Sequence, residues 1–422
     1  MIDAGKTNAT PSDARQRMAG LDALRGLALF GILFVNLTWF TGFAVTMAMN
    51  PDHFKDLGTF EMDTSVNWLV AFLVDSKFWS IFALLFGIGL GLQTVRYQSE
   101  GKGNGILYFR LAVLFVLGMF HGIFVWFGDI ISLYALTGFL LLLFARLPAK
   151  IILVCGIGFL LLPILQSGIW LVYFEQVKAS GGEGPDLSHG PFELLHYFPE
   201  GNLAQTFEAN WAYFVKRWVR GVWEGRFFKL LGMFLLGLYL VKANWITAKP
   251  NNEKSVALGW WFVLVIGFMI GLPCNYYAAN HEISVLPLDQ NEYWVTMAKC
   301  LGVPALAMAY VAGFFLVHDA TSRLAIWRPA ALVGRMSLTN YVIQSLVGVF
   351  VFYGCGLGYW GSFGITWSFA VIVGFVVGQT ALSALWLRFF AFGPLEWVAR
   401  CATYRRILPL RRRDADSEEK QQ

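Results

Sequence analysis

The sequence predicts an all-α, polytopic membrane protein with about ten transmembrane helices and both termini in the cytoplasm. Of its 422 residues, 57% are hydrophobic and only 14% are charged, whereas soluble domains are about 25% charged. The apolar residues fall in runs of roughly 20, the length that a helix needs to cross the hydrocarbon core. Lysine and arginine concentrate in alternate loops, which is typical of loops that stay on the cytoplasmic side.

Ten apolar runs set the domain organisation. They cover about residues 21–48, 67–94, 106–127, 129–146, 150–174, 226–243, 256–279, 293–317, 331–354 and 365–391. The predicted parts are a cytoplasmic segment (1–20), a five-helix membrane half (21–174), an external loop (175–225), a second membrane half (226–400) and a basic cytoplasmic tail (401–422). The loops after the even-numbered runs are basic, whereas the first loop carries Asp56, Glu61 and Asp63. This alternation places the even-numbered loops in the cytoplasm.

The external loop ends in a stretch of aromatic and basic residues, QTFEANWAYFVKRWVRGVWEGRFF, at residues 205–228. Such a mixture predicts an amphipathic helix at the outer membrane surface. The sequence leaves two interpretations open, because this helix could cover a site or simply lie at the interface.

Several function classes find no support. The five cysteines are scattered without a CxxC pair, and the sequence contains neither a zinc-type cluster nor a phosphate-binding loop. The basic tail RRILPLRRR is typical of an anchor near anionic lipid. We therefore expect the lipid bilayer as a partner, with no metal and no nucleic acid. A homodimer remains open.

Polar side chains inside the first two runs are candidates for a site. Asp22, Arg25 and Asn36 share one helical stripe, with Asn36 roughly 16 Å beyond Arg25 at 1.5 Å per residue. A helix-end ion pair and an interhelical hydrogen bond from Asn36 would also explain them. Asp75 and Lys77 lie in the outer third of the second run, where a charged group usually faces a cavity or a partner.

The third run contains a histidine flanked by small residues. Gly118, His121 and Gly122 lie on one face, and Asp129 follows at the turn into the fourth run. Small neighbours predict a tight helix crossing with the imidazole at the seam. His121 is then either a hydrogen-bonding contact between helices or a reactive base. Asp129 is either the N-cap of the next helix or the carboxylate that orients His121.

Further polar residues lie in the inner half of the last two runs. Asn340 and Gln344 are four residues apart in the ninth run. The tenth run ends at Gly393–Pro394, which brings Glu396 to the cytoplasmic surface in a basic and aromatic setting. Together with Arg25, these residues predict a polar path on the inner side.

Long stretches of the chain carry a family resemblance, in the order LDALRGLALFGILFVN, KFWSIFALLFGIGLGL, GMFHGIFVWFGDIISLYALTG, LLGMFLLGLYL, GRMSLTNYVIQS and FGPLEWVARCATY. They resemble the YeiB-like membrane proteins that end in domain of unknown function 418. That domain would begin at about residue 230. The family is similar to a branch of the transmembrane acyltransferase superfamily, and this likeness implies a multi-pass protein of the bacterial cytoplasmic (inner) membrane.

The resemblance implies that cytoplasmic acyl-CoA donates an acyl group to a small-molecule or glycan acceptor outside. Acyltransferase family 3 carries an arginine, ten residues and a catalytic histidine, whereas here ten residues separate Arg25 from Asn36. The heparan-type branch also has asparagine there and a later histidine, and His53 lies in the corresponding loop. We expect His121 to act as the general base or to carry the acyl group.

The remaining candidates receive roles under the same hypothesis. Asp129 would fix the histidine tautomer, and Asn36 would stabilise an oxyanion. The acyl-CoA side would be formed by four residues: Arg25, Asn340, Gln344 and Glu396. The substrate side would include Asp75 and Lys77.

Two other functions stay open. Ten runs with five in each half would suit a transporter built as an inverted repeat, although the two halves show little likeness. The chain could also be a non-enzymatic component of the cell envelope, against which the ionisable groups inside the membrane argue weakly.

Overall fold

A computed structural model of the chain describes residues 11–49, 51–55, 58–182, 192–246, 253–281, 290–321 and 324–412. Within these ranges the chain forms α-helices and short 3₁₀ turns, and its β-structure is limited to an isolated bridge between Phe390 and Arg411. The all-α prediction is therefore confirmed. Predictions that concern residues 1–10, 50, 56–57, 183–191, 247–252, 282–289, 322–323 and 413–422 lie outside the described residues.

The helices in chain order are α1 (Pro11–Phe40), α2 (Phe43–Met49), α3 (Phe60–Leu73), α4 (Lys77–Ser99), α5 (Gly105–Phe124), α6 (Ile131–Phe144), α7 (Ala149–Ala179), α8 (Tyr197–Glu200), α9 (Leu203–Trp223), α10 (Arg226–Lys242), α11 (Glu253–His281), α12 (Gln290–Thr321), α13 (Arg328–Arg335), α14 (Ser337–Phe352), α15 (Ile365–Phe389) and α16 (Pro394–Tyr404). Seven segments of the described chain are long and apolar enough to cross a membrane: α1, α3 with α4, α5, α7, α11, α12 and α15. The other predicted runs correspond to the shorter helices α6, α10 and α14.

Three predicted runs are not continuous helices. The first helix ends at Phe40, where a turn containing Gly42 at φ 73° leads into α2. The second run breaks between α3 and α4 because Ser76 adopts φ 63°, a left-handed conformation that interrupts a right-handed helix. The ninth run breaks at Met336, between α13 and α14.

Glycines allow the central helices to pack closely. A Cβ atom at Gly87 of α4 would lie 2.3 Å from the Phe234 carbonyl oxygen of α10. One at Gly237 of α10 would lie 2.3 Å from the Leu84 carbonyl oxygen of α4. Glycines on both helices therefore let the backbones of α4 and α10 approach closely.

The two ends of the bundle differ in character. The end where α5 begins, which we call the basic end, collects cationic side chains. There Lys242 donates hydrogen bonds to the Ala145 and Leu147 carbonyls, and Arg405 lies over the Phe109 ring. The opposite end holds a cluster of buried aromatic and aliphatic residues from α1, α9, α14 and the segment 125–130. The candidate site lies beside this aromatic cluster.

Candidate functional site

His121 and Asp129 meet in the interior of the protein. The imidazole Nδ1 lies 2.9 Å from Asp129 Oδ1, and the two residues are 2% and 3% exposed. Because an ionised carboxylate only accepts hydrogen bonds, Nδ1 is the donor, and in the neutral imidazole Nε2 then keeps its lone pair. The buried Nε2 has no hydrogen-bond partner among the described residues. Since buried polar atoms are normally paired, this nitrogen marks a place where an external group can be received.

Asp129 also starts the next helix. Its Oδ1 accepts from the Ile131 backbone N–H at 3.1 Å, and its Oδ2 accepts from the Ser132 N–H at 2.8 Å and from the Ser132 hydroxyl. One carboxylate therefore bonds both His121 and the first two backbone N–H groups of α6, although the residue at the N-cap position itself is Ile130. A Cβ atom at Gly118 would lie 2.2 Å from Ser132 N. This contact confirms the tight crossing that the small residues beside His121 predict.

Helix α9 holds the segment that carries this pair. Asn210 Nδ2 donates to the Gly122 and Ile123 carbonyls at 2.8 and 2.7 Å, and its Oδ1 accepts from the Phe127 N–H at 2.5 Å. These bonds satisfy carbonyls at the end of α5 that have no partner within the helix. The predicted helix in the external loop thus exists, and it covers the segment between His121 and Asp129.

Two further residues belong to this site and were not singled out from the sequence. Arg217 lies seven residues after Asn210 and therefore on the same face of α9. It interacts electrostatically with Asp129 and Tyr341, and it makes no hydrogen bond to a described residue. Burial lowers the pKa of Arg217 to about 10, so the guanidinium is charged at neutral pH. The Tyr341 hydroxyl donates to the Gly128 carbonyl at 3.1 Å, and its ring centroid is 5.2 Å from that of His121.

Asn36 lies on the same part of α1 as Leu33 and Leu37, which pack in the aromatic cluster with Trp126. It is half-buried, and its amide makes no hydrogen bond within the described ranges. No hydrogen bond joins Asn36 to His121 in this part of the chain. The structure therefore places Asn36 on a turn of α1 whose neighbours Leu33 and Leu37 pack in the aromatic cluster.

Asp75 and Lys77 lie at a break between two helices, so the prediction of one continuous helix over residues 67–94 is wrong. They flank Ser76 at the break between α3 and α4. Lys77 is 2% exposed, and its ammonium donates to the Ala71 carbonyl at 2.7 Å. A cation at the last turn of a helix is electrostatically favourable, so Lys77 stabilises the end of α3.

Asn340 and Gln344 connect α14 to α15. Asn340 Nδ2 donates to the Ser383 hydroxyl at 3.1 Å and to the Val333 carbonyl at 3.0 Å. Gln344 Nε2 donates to Gln379 Oε1 at 3.0 Å. Both residues are almost fully buried, and hydrogen bonds of this kind hold helices together in a membrane.

Glu396 caps a neighbouring helix. Its Oε1 accepts from the Leu338 and Thr339 N–H groups at 2.7 and 3.2 Å, and its Oε2 accepts from the Thr339 hydroxyl at 2.5 Å. The carboxylate therefore lies at the N-terminus of α14, where negative charge is favourable. Asp63 holds the start of α15 in the same way, through the Thr366 N–H at 2.8 Å.

Arg25 lies at the basic end among other polar groups. It forms an ion pair with Asp22 at 2.8 Å, which the three-residue spacing predicts. Arg110 donates to Gln93 Oε1 at 2.5 Å and interacts electrostatically with Arg25 and Arg400. Helices α1, α5 and α16 thus bring three arginines into one region. Within the described ranges, no group of three metal-ligating side chains is found.

The fold and the enclosed histidine–aspartate pair define a class of helical membrane protein. Residues 240–406 match the family described as "Protein of unknown function (DUF418)". The chain is 30% identical over 406 residues to "Uncharacterized protein YxaH" of Bacillus subtilis (strain 168), covering 93% of this chain and 96% of the relative. It is 29% identical over 414 residues to "Uncharacterized protein YeiB" of Escherichia coli (strain K12), covering 93% and 98%. The chain therefore belongs to the YeiB-like family of membrane proteins with a DUF418 region.

Proposed function

We propose that the protein is an integral membrane acyltransferase that moves an acyl group from cytoplasmic acyl-CoA to a small-molecule or glycan acceptor outside. One observation carries this proposal: His121 is oriented by Asp129 through Nδ1, while its buried Nε2 has no partner among the described residues. This is the arrangement that a general base needs, because the oriented tautomer leaves a basic nitrogen for the proton of an attacking hydroxyl or amine.

The residues around His121 support the same chemistry. His121 Nε2 would take the proton of the acceptor, whose oxygen or nitrogen then bonds to the acyl carbon as the carbon–sulfur bond breaks. Negative charge develops on the acyl oxygen during such a transfer. Arg217, which is charged and has no hydrogen-bonded acceptor in the described chain, is better suited to stabilise it than Asn36.

The donor would approach from the basic end. Acyl-CoA supplies an activated thioester and carries several phosphates, and these need cationic partners. Arg25, Arg110 and Arg400 interact electrostatically in one region. These three guanidinium groups fit the phosphates of acyl-CoA. Asn340, Gln344 and Glu396 are already engaged in helix contacts. We therefore assign the phosphates of acyl-CoA to these arginines. Among them, Arg25 is the residue that the sequence predicts for this role.

The proposed topology has ten crossings, with both termini in the cytoplasm of a bacterial cell and the chain in its inner membrane. The seven long segments supply seven crossings, and α6, α10 and α14 supply three. The contacts of Lys242 and Arg405 support placing the basic end on the cytoplasmic side, because cationic loops favour the cytoplasmic face.

The direct test uses purified protein in nanodiscs supplied with radiolabelled acetyl-CoA, with water standing in for the acceptor hydroxyl, and measures release of free CoA. Wild-type protein should release CoA, and His121→Ala should lose that release while keeping its unfolding temperature. His318→Ala is the matched control, since His318 is also buried but stacks on Phe314 and Trp327. Equal release from wild type and His121→Ala would refute the assignment of the base.

A transporter is the second candidate, and the broken helices favour it. Helix breaks at Ser76 and at Met336 resemble the discontinuous helices that form substrate sites in many transporters. Substrate flux into sealed vesicles without consumption of acyl-CoA would support this alternative and would leave His121 as a helix contact.

A further inference from the structure

A separate cleft opens at the basic end, between the start of α1, helix α13, the end of α15 and the tail. Its volume is about 1020 Å³, at the upper end of the range for small-molecule sites, roughly 300–1,000 Å³. Neither His121 nor Asp129 lines it. The lining is formed by Met18, Ala19, Asp22, Arg328, Ala331, Leu332, Arg335, Ala384, Leu387, Arg388 and Arg412.

Four of the residues that line this cleft are arginines from three separate parts of the chain. Arg328 and Arg335 are seven residues apart on α13, which places them on one helical face two turns apart. Arg388 comes from the last turn of α15, and Arg412 comes from the tail. In the described part of the chain, none of the four makes a hydrogen bond to a carboxylate. The acidic lining residue, Asp22, is paired with Arg25 at 2.8 Å and also attracts Arg335 electrostatically, so a single carboxylate faces the four arginines of the lining.

The preference for cationic residues at the cytoplasmic face does not by itself explain this arrangement. That preference is satisfied by any basic residue near a helix end, and it does not require arginines to gather around one concave surface. Like charges at close range repel. A bound anion would turn this repulsion into attraction, and guanidinium groups match phosphate oxygens with paired hydrogen bonds.

We infer that this cleft binds a phosphate group, with the arginines holding the phosphate and the apolar residues Ala331, Leu332 and Leu387 contacting the rest of the ligand. The phosphate can come from the headgroup of an anionic phospholipid of the adjacent leaflet or from a soluble phosphate ester. This inference goes beyond acyl transfer and does not depend on the chemistry at His121.

Two arms of one experiment distinguish the sources. In the first arm, protein in phosphatidylcholine nanodiscs is titrated in a calorimeter with glycerol 3-phosphate, which lacks the nucleotide of the acyl-CoA proposed to bind at Arg25, Arg110 and Arg400. In the second arm, protein from nanodiscs with equal phosphatidylglycerol and phosphatidylcholine is examined by native mass spectrometry for retained lipid. Binding in the first arm identifies a soluble phosphate ester as ligand, and selective retention of phosphatidylglycerol identifies the lipid.

Variants assign the binding to the cleft. Arg335→Gln and Arg388→Gln should each weaken binding at least tenfold in whichever arm shows it. Arg146→Gln should not, because Arg146 is exposed and lies outside the cleft. All three positions are exposed, so unfolding temperatures should stay at the wild-type value. His121→Ala should bind as wild type does, which separates this inference from the proposed activity. No binding in either arm, or an equal loss in Arg146→Gln, would overturn it.

Discussion

Asp129 accepts a hydrogen bond from His121 Nδ1 at 2.9 Å, and the same carboxylate caps the first turn of α6 through Ile131 and Ser132. The orientation of the imidazole is therefore fixed to the position of a helix. Because Gly118 lets α5 and α6 cross closely beside this pair, the orientation of the imidazole depends on backbone packing as much as on the two side chains.

Asp129→Asn should separate the two tasks of this carboxylate. Asparagine is a good N-cap, so α6 should keep its start and the unfolding temperature should change little. The amide NH₂ group, however, cannot accept the Nδ1 proton as a carboxylate does. Turnover should fall by a factor on the order of 10²–10⁴, the usual contribution of general base catalysis. CoA release and thermal unfolding in nanodiscs measure the two effects.

The control for Asp129→Asn is Asp63→Asn. Asp63 is fully buried and caps α15 through Thr366, without a histidine on its carboxylate. Its substitution should alter stability alone. Similar losses of turnover in both variants would mean that Asp129 acts only as a cap.

Asn210→Leu should destabilise the protein. The substitution leaves the carbonyls of Gly122 and Ile123 and the N–H of Phe127 without their partner. Leaving buried polar groups unpaired should lower the free energy of unfolding by about 2–4 kcal/mol. Hydrogen exchange should rise at residues 122–129 before it rises elsewhere. Uniform exchange along the chain would instead indicate that α9 does not hold this segment.

The sequence predicted the all-helical class because apolar runs, alternate basic loops and few charges all depend on composition along the chain. It could not predict the break at Ser76, because a single residue in the left-handed region leaves no periodic signal. The sequence did not predict the break between α13 and α14 either. The start of α14 is capped by Glu396, which lies 58 residues after Leu338 and leaves no local signal.

The candidate site was predictable where its members are close in sequence. His121 and Asp129 are eight residues apart in the sequence, and the glycines beside His121 indicate a close helix crossing. Arg217 and Tyr341 come from other helices, and only tertiary packing brings them near the pair. Asn340 and Gln344 illustrate the opposite case. Their spacing predicted a polar stripe correctly, but its partner is the matching stripe of α15, at Gln379 and Ser383.

Arg217→Gln should lower turnover without destabilising the fold. A half-buried cation without a hydrogen-bonded acceptor in the described chain brings a desolvation cost to the folded state, so removing it should leave the unfolding temperature unchanged or raise it. Loss of charge stabilisation during transfer should reduce kcat by about 10²–10³ with little change in KM for the donor. Arg217→Lys should restore part of kcat. A stable variant with wild-type kcat would remove Arg217 from the site.

Glu224→Gln should destabilise the junction between α9 and α10. Glu224 pairs with Arg220 and, at 2.5 Å, with Arg226. Burial acts to raise the pKa of Glu224, but Arg226 and Arg220 outweigh it and hold that pKa well below its ordinary value. The pairs therefore contribute stability above the unfolded pKa, about 4.3, and that stability is lost as the pH falls toward the folded pKa. The substitution should reduce the free energy of unfolding at pH 7 by about 2 kcal/mol, less than for a fully buried pair.

The control for Glu224→Gln is Glu100→Gln, because Glu100 pairs with Arg96 and Lys102 on the protein surface. Exposed pairs of this kind contribute little to stability, so Glu100→Gln should unfold as wild type does. The difference between wild type and Glu224→Gln should stay constant from pH 7 to about 5 and shrink as the pH is lowered from about 4.3 toward 2, measured by tryptophan fluorescence during thermal unfolding. A difference that stays constant over the lower range as well would show that the ion pairs of Glu224 do not hold the junction, and that the loss comes from packing alone.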